Sequence, residues 1–420
     1  MATVAEQISY TDLYARWERG NWRSTEIDFS EDRRQWQEEM TEFERRAALW
    51  NYALFFWGED AVTDGLSPYI DAAPTEEQKY FLATQQVDEA RHAMFFTRFM
   101  REVCGVGGDT IAEGLEAIRP QLTWGFRMVF DRLERMSAEL RADPSPARLS
   151  AAVTLYHVVI EATLAQPGQH FITSYLHDRD MLPGFREGMD RIAQDEQRHI
   201  AFGVKLLSDI AAPDPRCRRA VADLLREVLP WTASVLVPPG WNLDYTRVFG
   251  FELEDIAREG ADSLETKLRS AGLAIEELPG PPIFAYGLPP ETRVRNGLRL
   301  VQGGVLGEKN GTPSADHETM AALFEVLGAS IDSDKAPAEP GTIQWDFSDA
   351  EPWHLVVANG DTRFEPGRVP SPTVTLECSY EDWADVFAKR EHPLRLAVTR
   401  RLRPRGDLRW LWRARRMFPR

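Results

Sequence analysis

The chain has 420 residues, of which 43% are hydrophobic and 27% charged, with a formal net charge of −17; that is long enough for two or three domains and matches an ordinary soluble protein in composition. The acidic total argues against a nucleic-acid binder. Three scattered cysteines, Cys104, Cys217 and Cys378, with no C-x-x-C spacing, argue against a disulfide framework, a thiolate metal site or a redox dithiol.

The start, MATVAEQISYTDLYARWERG, is acidic and aromatic, without a basic leader or an apolar signal core, so the cytosol is the default location. The longest apolar runs, such as residues 47–57 with Asn51 inside, fall short of the roughly 20 residues that span a bilayer, and no transmembrane helix is expected. From about residue 31 to 272 the pattern predicts long amphipathic helices near 33–63, 74–103, 109–141, 146–177, 184–211 and 215–236, separated by Pro, Gly and Asp clusters. Helices of this length need neighbours along their whole span to cover their apolar stripes, which predicts an all-α bundle. Pro167 and Gly168 interrupt the fourth helix, and a kink there either opens a channel or adjusts packing.

Two segments, QQVDEARHAMFF at 85–96 and IAQDEQRHIAFG at 192–203, repeat a D-E-x-R-H frame. Residues three apart share a helix face, so Glu89 with His92 and Glu196 with His199 each offer a carboxylate and an imidazole to one metal. Another Glu-x-x-His pair, Glu351 and His354, flanks Pro352 in a strand-rich region and reads as chance. Each motif is preceded by a helix carrying an acid in an apolar stretch, Glu59 after NYALFFWG and Glu161 in LYHVVIEATLA. Burying such acids is costly unless a cation compensates them. One Glu from each of two helices plus one Glu-x-x-His from each of two others is the donor set of a dinuclear carboxylate bundle, and oxygen and nitrogen donors without thiolate favour iron or manganese. Asp88, Arg91, Asp195 and Arg198 either orient these ligands or form ordinary surface ion pairs.

The pattern Glu59, Glu89-x-x-His92, Glu161, Glu196-x-x-His199 resembles the ribonucleotide reductase small-subunit superfamily, of ferritin-like fold, over most of residues 40–290. Within it the chain looks like the ligand-binding oxidases. Glu59 stands where the reductase subunit usually has Asp, Phe96 stands at its radical tyrosine, and Val62 and Tyr156 occupy the positions that an ether bond joins in the oxidases. The resemblance implies a heterodinuclear centre, manganese at Glu59, Glu89 and His92 and iron at Glu161, Glu196 and His199, with a di-iron pair as the alternative. It also implies dioxygen activation, C–H oxidation, a long-chain fatty acid ligand and a homodimer. Tyr156 lies five residues before Glu161, about 140° round an ideal α-helix, so the cross-link requires a π-bulge or a flanking approach. A non-catalytic lipid-binding or metal-storage protein, and a reductase radical subunit, are the competing readings.

Near residue 303 the composition turns Gly- and Pro-rich, and short alternating runs follow, TIQWDF, WHLVVAN, TVTLEC and LRLAV, predicting a smaller α+β domain. The domains expected are 1–305, a linker at 306–315, and 316–420. The last of these resembles the sterol carrier protein domain, which implies a sheet and helices around an apolar tunnel for lipid. Residues 389–420 hold twelve Arg or Lys against Glu391 and Asp407, a balance of +10 that leaves −27 on the rest. Arg interleaved with Trp, Leu and Phe there suits an anionic membrane surface, a clasp on the acidic body or a nucleic-acid patch, the first two being favoured.

Overall fold

The computed structural model describes residues 8–358 and 360–418, so part of the N-terminal stretch read above lies outside the described residues. The chain forms two compact units. The first comprises Met1–Val228 and Val235–Pro279, the second Leu229–Ser234 and Gly280–Arg420. The division falls at Pro279 rather than at the compositional break near 305, because the helix Pro290–Gln302 packs along His317–Ser330.

Among the described residues, the regular structure of the first unit is all helical. Its core runs through Glu42–Gly65, Glu76–Glu102, the continuous stretch Pro146–Arg179, and Pro183–Ile210. Local chemistry sets the ends. Thr41 and Glu44 cap the first of these helices reciprocally, Glu44 N donating to Thr41 Oγ1 at 3.2 Å and Thr41 N to Glu44 Oε2 at 2.7 Å. Asp32 lies across the start of Pro183–Ile210 and accepts from Gly184 N and Phe185 N at 2.9 and 2.7 Å, supplying a carboxylate where the helix dipole is positive. Two predicted helices are each divided: 33–63 breaks at Thr41, and 109–141 breaks at Pro120 into Ile111–Ile118 and Trp124–Ala142. A helix at Tyr10–Gly20, not predicted, packs on Glu76–Glu102.

Pro146–Arg179 is long and apolar enough to cross a membrane, contrary to expectation, yet 83% of its most apolar window is buried within the protein. Residues 149–163 within it are all buried, because bundle neighbours cover that part on every side. Its middle, Thr154–Ala165, is π-helical. Pro167 follows directly in the first turn of Gln166–Arg179, so the helix changes its winding just ahead of the residue that cannot donate a backbone bond.

The second unit carries a five-stranded sheet, β1 Gly341–Phe347, β2 Trp353–Ala358, β3 Asp361–Pro366, β4 Val374–Cys378 and β5 Arg403–Gly406, in the order β3-β2-β1-β4-β5. Among the described residues only β1 and β4 pair in parallel. Phe324 of His317–Ser330 seats the helix on the sheet, its ring 4.7 Å from Trp353, 5.4 Å from Trp345 and 5.3 Å from Phe364. The run LRLAV, expected as a strand, is the helix Pro393–Val398: Pro393 opens it and the His392 ring caps Leu394 N.

Candidate dinuclear metal centre

All six predicted ligands are brought together, each at most 7% exposed. Glu59 comes from Glu42–Gly65, Glu89 and His92 from Glu76–Glu102, Glu161 from the π-helical segment, and Glu196 and His199 from Pro183–Ile210. They form two groups whose donor atoms lie within 4.8 Å of one another, Glu59 with Glu89, His92 and Glu196, and Glu161 with Glu89, Glu196 and His199. Glu89 and Glu196 thus belong to both groups, which spacing along the sequence did not reveal. His92 Nδ1 is 3.2 Å from Glu59 and 3.3 Å from Glu89, and His199 Nδ1 is 3.1 Å from Glu89 and 3.6 Å from Glu161. Glu351 and His354 take separate partners, His317 and Gly367 O.

The opposite ring nitrogens are held in a crossed pattern. His92 Nε2 lies 3.1 Å from Asp195 of the second motif, and His199 Nε2 3.1 Å from Asp88 of the first. Arg198 joins the two acids, donating to Asp195 at 2.7 Å and Asp88 at 2.9 Å, while Arg91 donates to Asp88 at 2.7 Å. Asp88, Arg91, Asp195 and Arg198 therefore form a buried network behind the two histidines and not surface pairs. Trp17 and Trp22 complete the arrangement from the N-terminal segment, their indole N–H groups reaching Asp88 and Asp195 at 2.9 and 2.8 Å. With each Nε2 tied to a carboxylate, each ring turns its Nδ1 toward the glutamates, where a bound metal would take the place of the Nδ1 proton.

The donor set fits a pair of divalent ions. Burial, only partly offset by His92, lifts the Glu59 carboxyl to about 8. Burial together with Glu196 raises Glu161 well above the usual carboxylate range, and burial with Glu89 raises Glu196. Glu89 behaves oppositely: burial acts against it, but the charges of His199 and His92 outweigh burial and hold it well below that range. Glu161 Oε2, Glu196 Oε2 and His199 Nδ1 are buried with no hydrogen-bond partner, although His199 Nδ1 sits within ion-pair distance of carboxylates. Buried polar atoms without partners are rare, and here they all point to one small volume of donors.

Two further residues escaped the sequence reading. The Gln85 amide, fully buried, donates to Glu161 at 2.9 Å and Tyr156 Oη at 3.0 Å, and its oxygen faces His157 Nε2 at 3.1 Å. Burial and nearby His199 push His157 down to about 3, so it stays neutral and can donate to that oxygen. Tyr156 Oη in turn donates to Glu89 at 2.6 Å. Gln85 stands four residues before Glu89, one helical turn away, and that offset was the available signal. Gly203 makes room for His157: a Cβ there would lie 2.3 Å from the His157 Cβ.

The cluster opens on an apolar cavity, part of it open to solvent, lined by Glu59, Glu89, Glu161 and Glu196 and by both Val62 and Tyr156. The π-helical winding answers the angular objection to Tyr156, since i to i+5 hydrogen bonding brings residues five apart toward one face. Phe96 is buried and stacks 6.0 Å from Phe55, a cavity-lining ring.

The family of the ribonucleotide reductase small chain matches residues 4–230, and the SCP-2 sterol transfer family matches residues 329–418. Among solved structures, a glycine-to-phenylalanine variant of an R2-like ligand-binding oxidase with anaerobically reconstituted Mn/Fe cofactor is similar at 25% identity and a TM-score of 0.53, over 63% of this chain and 93% of that one. A valine-to-leucine variant of such an oxidase with the same cofactor matches at 25% identity and a TM-score of 0.54, with the same coverage. The crossed Asp–His network, the six donors and these matches lead to one conclusion: the chain belongs to the ribonucleotide reductase small chain family, with an SCP-2-type segment following it.

Proposed function

We propose that this dinuclear metal oxidase uses manganese and iron to oxidise a C–H bond of a long-chain apolar ligand with dioxygen. The observation that carries the reading is that a cluster of six donors opens, through its four glutamates, on an apolar cavity lined by Val62 and Tyr156. Manganese would be held by Glu59, Glu89 and His92, iron by Glu161, Glu196 and His199, with Glu89 and Glu196 between them. The metal pair, when bound, supplies the redox chemistry that reduces dioxygen. The chain supplies the rest. Asp195 and Asp88 keep the protons on the outer imidazole nitrogens, Gln85 and Glu89 hold the Tyr156 oxygen at the cavity wall, and the apolar lining excludes water from a reactive site. A fatty acid would lie in the cavity with its carboxylate at the metals.

In the same reading an ether bond joins Val62 to Tyr156, two hydrogens and two electrons passing to dioxygen. Peptide mapping after aerobic loading with manganese and iron should find the two peptides joined with the loss of two hydrogens; separate peptides in fully loaded protein would remove the cross-link. A radical subunit is disfavoured because Phe96 has no hydroxyl to oxidise.

The second unit supports a lipid-facing role. Leu394, Val398, Leu408 and Trp412 are exposed at 69, 84, 50 and 60%, and exposed Arg400, Arg403, Arg409, Arg415 and Arg416 lie among them without an acidic partner among the described residues. Apolar anchors interleaved with guanidinium groups that have no acidic partner suit an anionic membrane surface, while the SCP-2-type fold suits an apolar ligand. Full-length protein should co-sediment with phosphatidylserine vesicles and be released by high salt; equal binding to neutral vesicles would count against it. We assign the exposed stripe Tyr80, Val87 and Met94, seven residues apart on one helix, to a homodimer contact, which sedimentation of Val87→Glu should weaken.

A further inference from the structure

Two of the helices that wall the apolar cavity meet beside the metal donors. Phe55, Gly58, Glu59 and Val62 line it from Glu42–Gly65, the i, i+3, i+4, i+7 spacing of a single helical stripe. Phe126 and Phe130 line it from Trp124–Ala142, which packs along that helix, and their separation of one turn puts both rings on one face. The rings stack, their centroids 4.2 Å apart and their planes inclined by 22°. Phe126 is 4% exposed and Phe130 9%.

The meeting point is Gly58, the residue before Glu59. A Cβ built there would lie 3.4 Å from Phe130 Cζ, so the tip of that ring already rests within van der Waals range of the position. Phe126 backs Phe130 from the neighbouring turn, and moving Phe130 off Gly58 disturbs the stack. The Phe55 end of the stripe is held as well. A Cβ at Gly168 would come 3.1 Å from the Phe55 ring, which lies 6.0 Å from Phe96 and parallel to it within 4°. The interruption at Pro167 and Gly168 is thus a packing adjustment against a ring of the cavity wall. A wall of packed rings yields little to extra volume, and a surplus methyl there has to displace side chains or backbone.

We propose that Phe126 and Phe130 fix the width of the cavity beside Glu59, passing the unbranched methylenes next to the carboxylate of an acyl ligand and refusing a branch at that position. The inference rests on the acyl-ligand reading above and narrows it to acids that are straight next to the carboxylate, whatever their far end carries. The filter acts at the carboxylate end because Gly58 adjoins Glu59, one of the donors that would hold the metals. The two rings determine specificity by touching the hydrocarbon, and they take no part in the metal chemistry.

The test uses full-length metal-loaded protein and three probes, hexadecanoate, 2-methylhexadecanoate and 15-methylhexadecanoate, with affinities from calorimetry. The 2-methyl acid should bind at least about tenfold more weakly than hexadecanoate, and the 15-methyl acid about as tightly as hexadecanoate. In Phe130→Ala the ratio of straight to 2-methyl affinity should fall toward one, and Phe126→Ala, which leaves Phe130 without its backing, should move it the same way. Equal binding of all three acids by the unaltered protein would overturn the filter while leaving the acyl reading in place. Binding of none would overturn both. A Phe130→Ala protein that melts like the unaltered one and still refuses the 2-methyl branch would take the filter away from this pair. The probe series needs no variant, so a misfolded substitution does not spoil the outcome.

Discussion

The two helices that donate single glutamates make an instructive pair. Glu42–Gly65 is an ordinary α-helix, and it places Glu59 and Val62 on one face because they are three residues apart. Thr154–Ala165 is π-helical, and it places Tyr156 and Glu161 on the same cavity although they are five residues apart. One side of the site follows from regular geometry; the other depends on a local change of winding held by its surroundings. Gly203 under His157, and Gln85 across from Tyr156, are the parts of those surroundings that the structure identifies.

This contrast can be broken at several levels. Glu196→Ala removes a donor common to both groups and should lower bound metal at least about tenfold at both positions, measured by elemental analysis of loaded protein. Glu59→Ala or Glu161→Ala, each in one group only, should strip one metal and leave the other. The crossed network predicts a swap one level out. Asp195→Asn should weaken the metal beside His92 and Asp88→Asn the metal beside His199, each by about 10- to 100-fold, in metal titrations read separately for each ion. If each substitution affected the metal of its own motif, the crossing would have no functional weight.

On the π-helical side, Gly203→Ala forces a methyl against His157 and should cost about 1–3 kcal/mol in thermal or denaturant unfolding. Gln85→Leu should keep metal content near normal but reduce the yield of the Val62–Tyr156 cross-link, because the tyrosine loses one of its two partners. The smallest effect is expected on the regular side, where Thr41→Ala removes one arm of a capping box and should lower stability by about 1 kcal/mol.

The ligand set was legible because its signal is local. Glu89 with His92 and Glu196 with His199 need only helical spacing, and Glu59 and Glu161 stand out as acids inside apolar helices. The partners of those ligands were not legible to the same degree. Asp88 and Asp195 sit next to the glutamates of their own motifs, yet each serves the histidine of the other, a relation that exists only between two helices in contact. His157 looked like one more residue of an apolar run until Gln85 was found facing it. In the second unit, LRLAV alternates like a strand but follows Pro393 and buries only Leu396 among its large apolar residues, so it closes into a helix.

By itself, then, the sequence determined the helical bundle, the two Glu-x-x-His claws and the change to an α+β unit, because hydrophobic period and i, i+3 spacing act within one element. The tertiary structure alone decided which carboxylates belong to both donor groups, which aspartate holds which imidazole, and how π-helical winding turns Tyr156 into the cavity. Those are properties of neighbouring helices packed at fixed distances, and donor geometry between elements is set by that packing and not by separation along the chain.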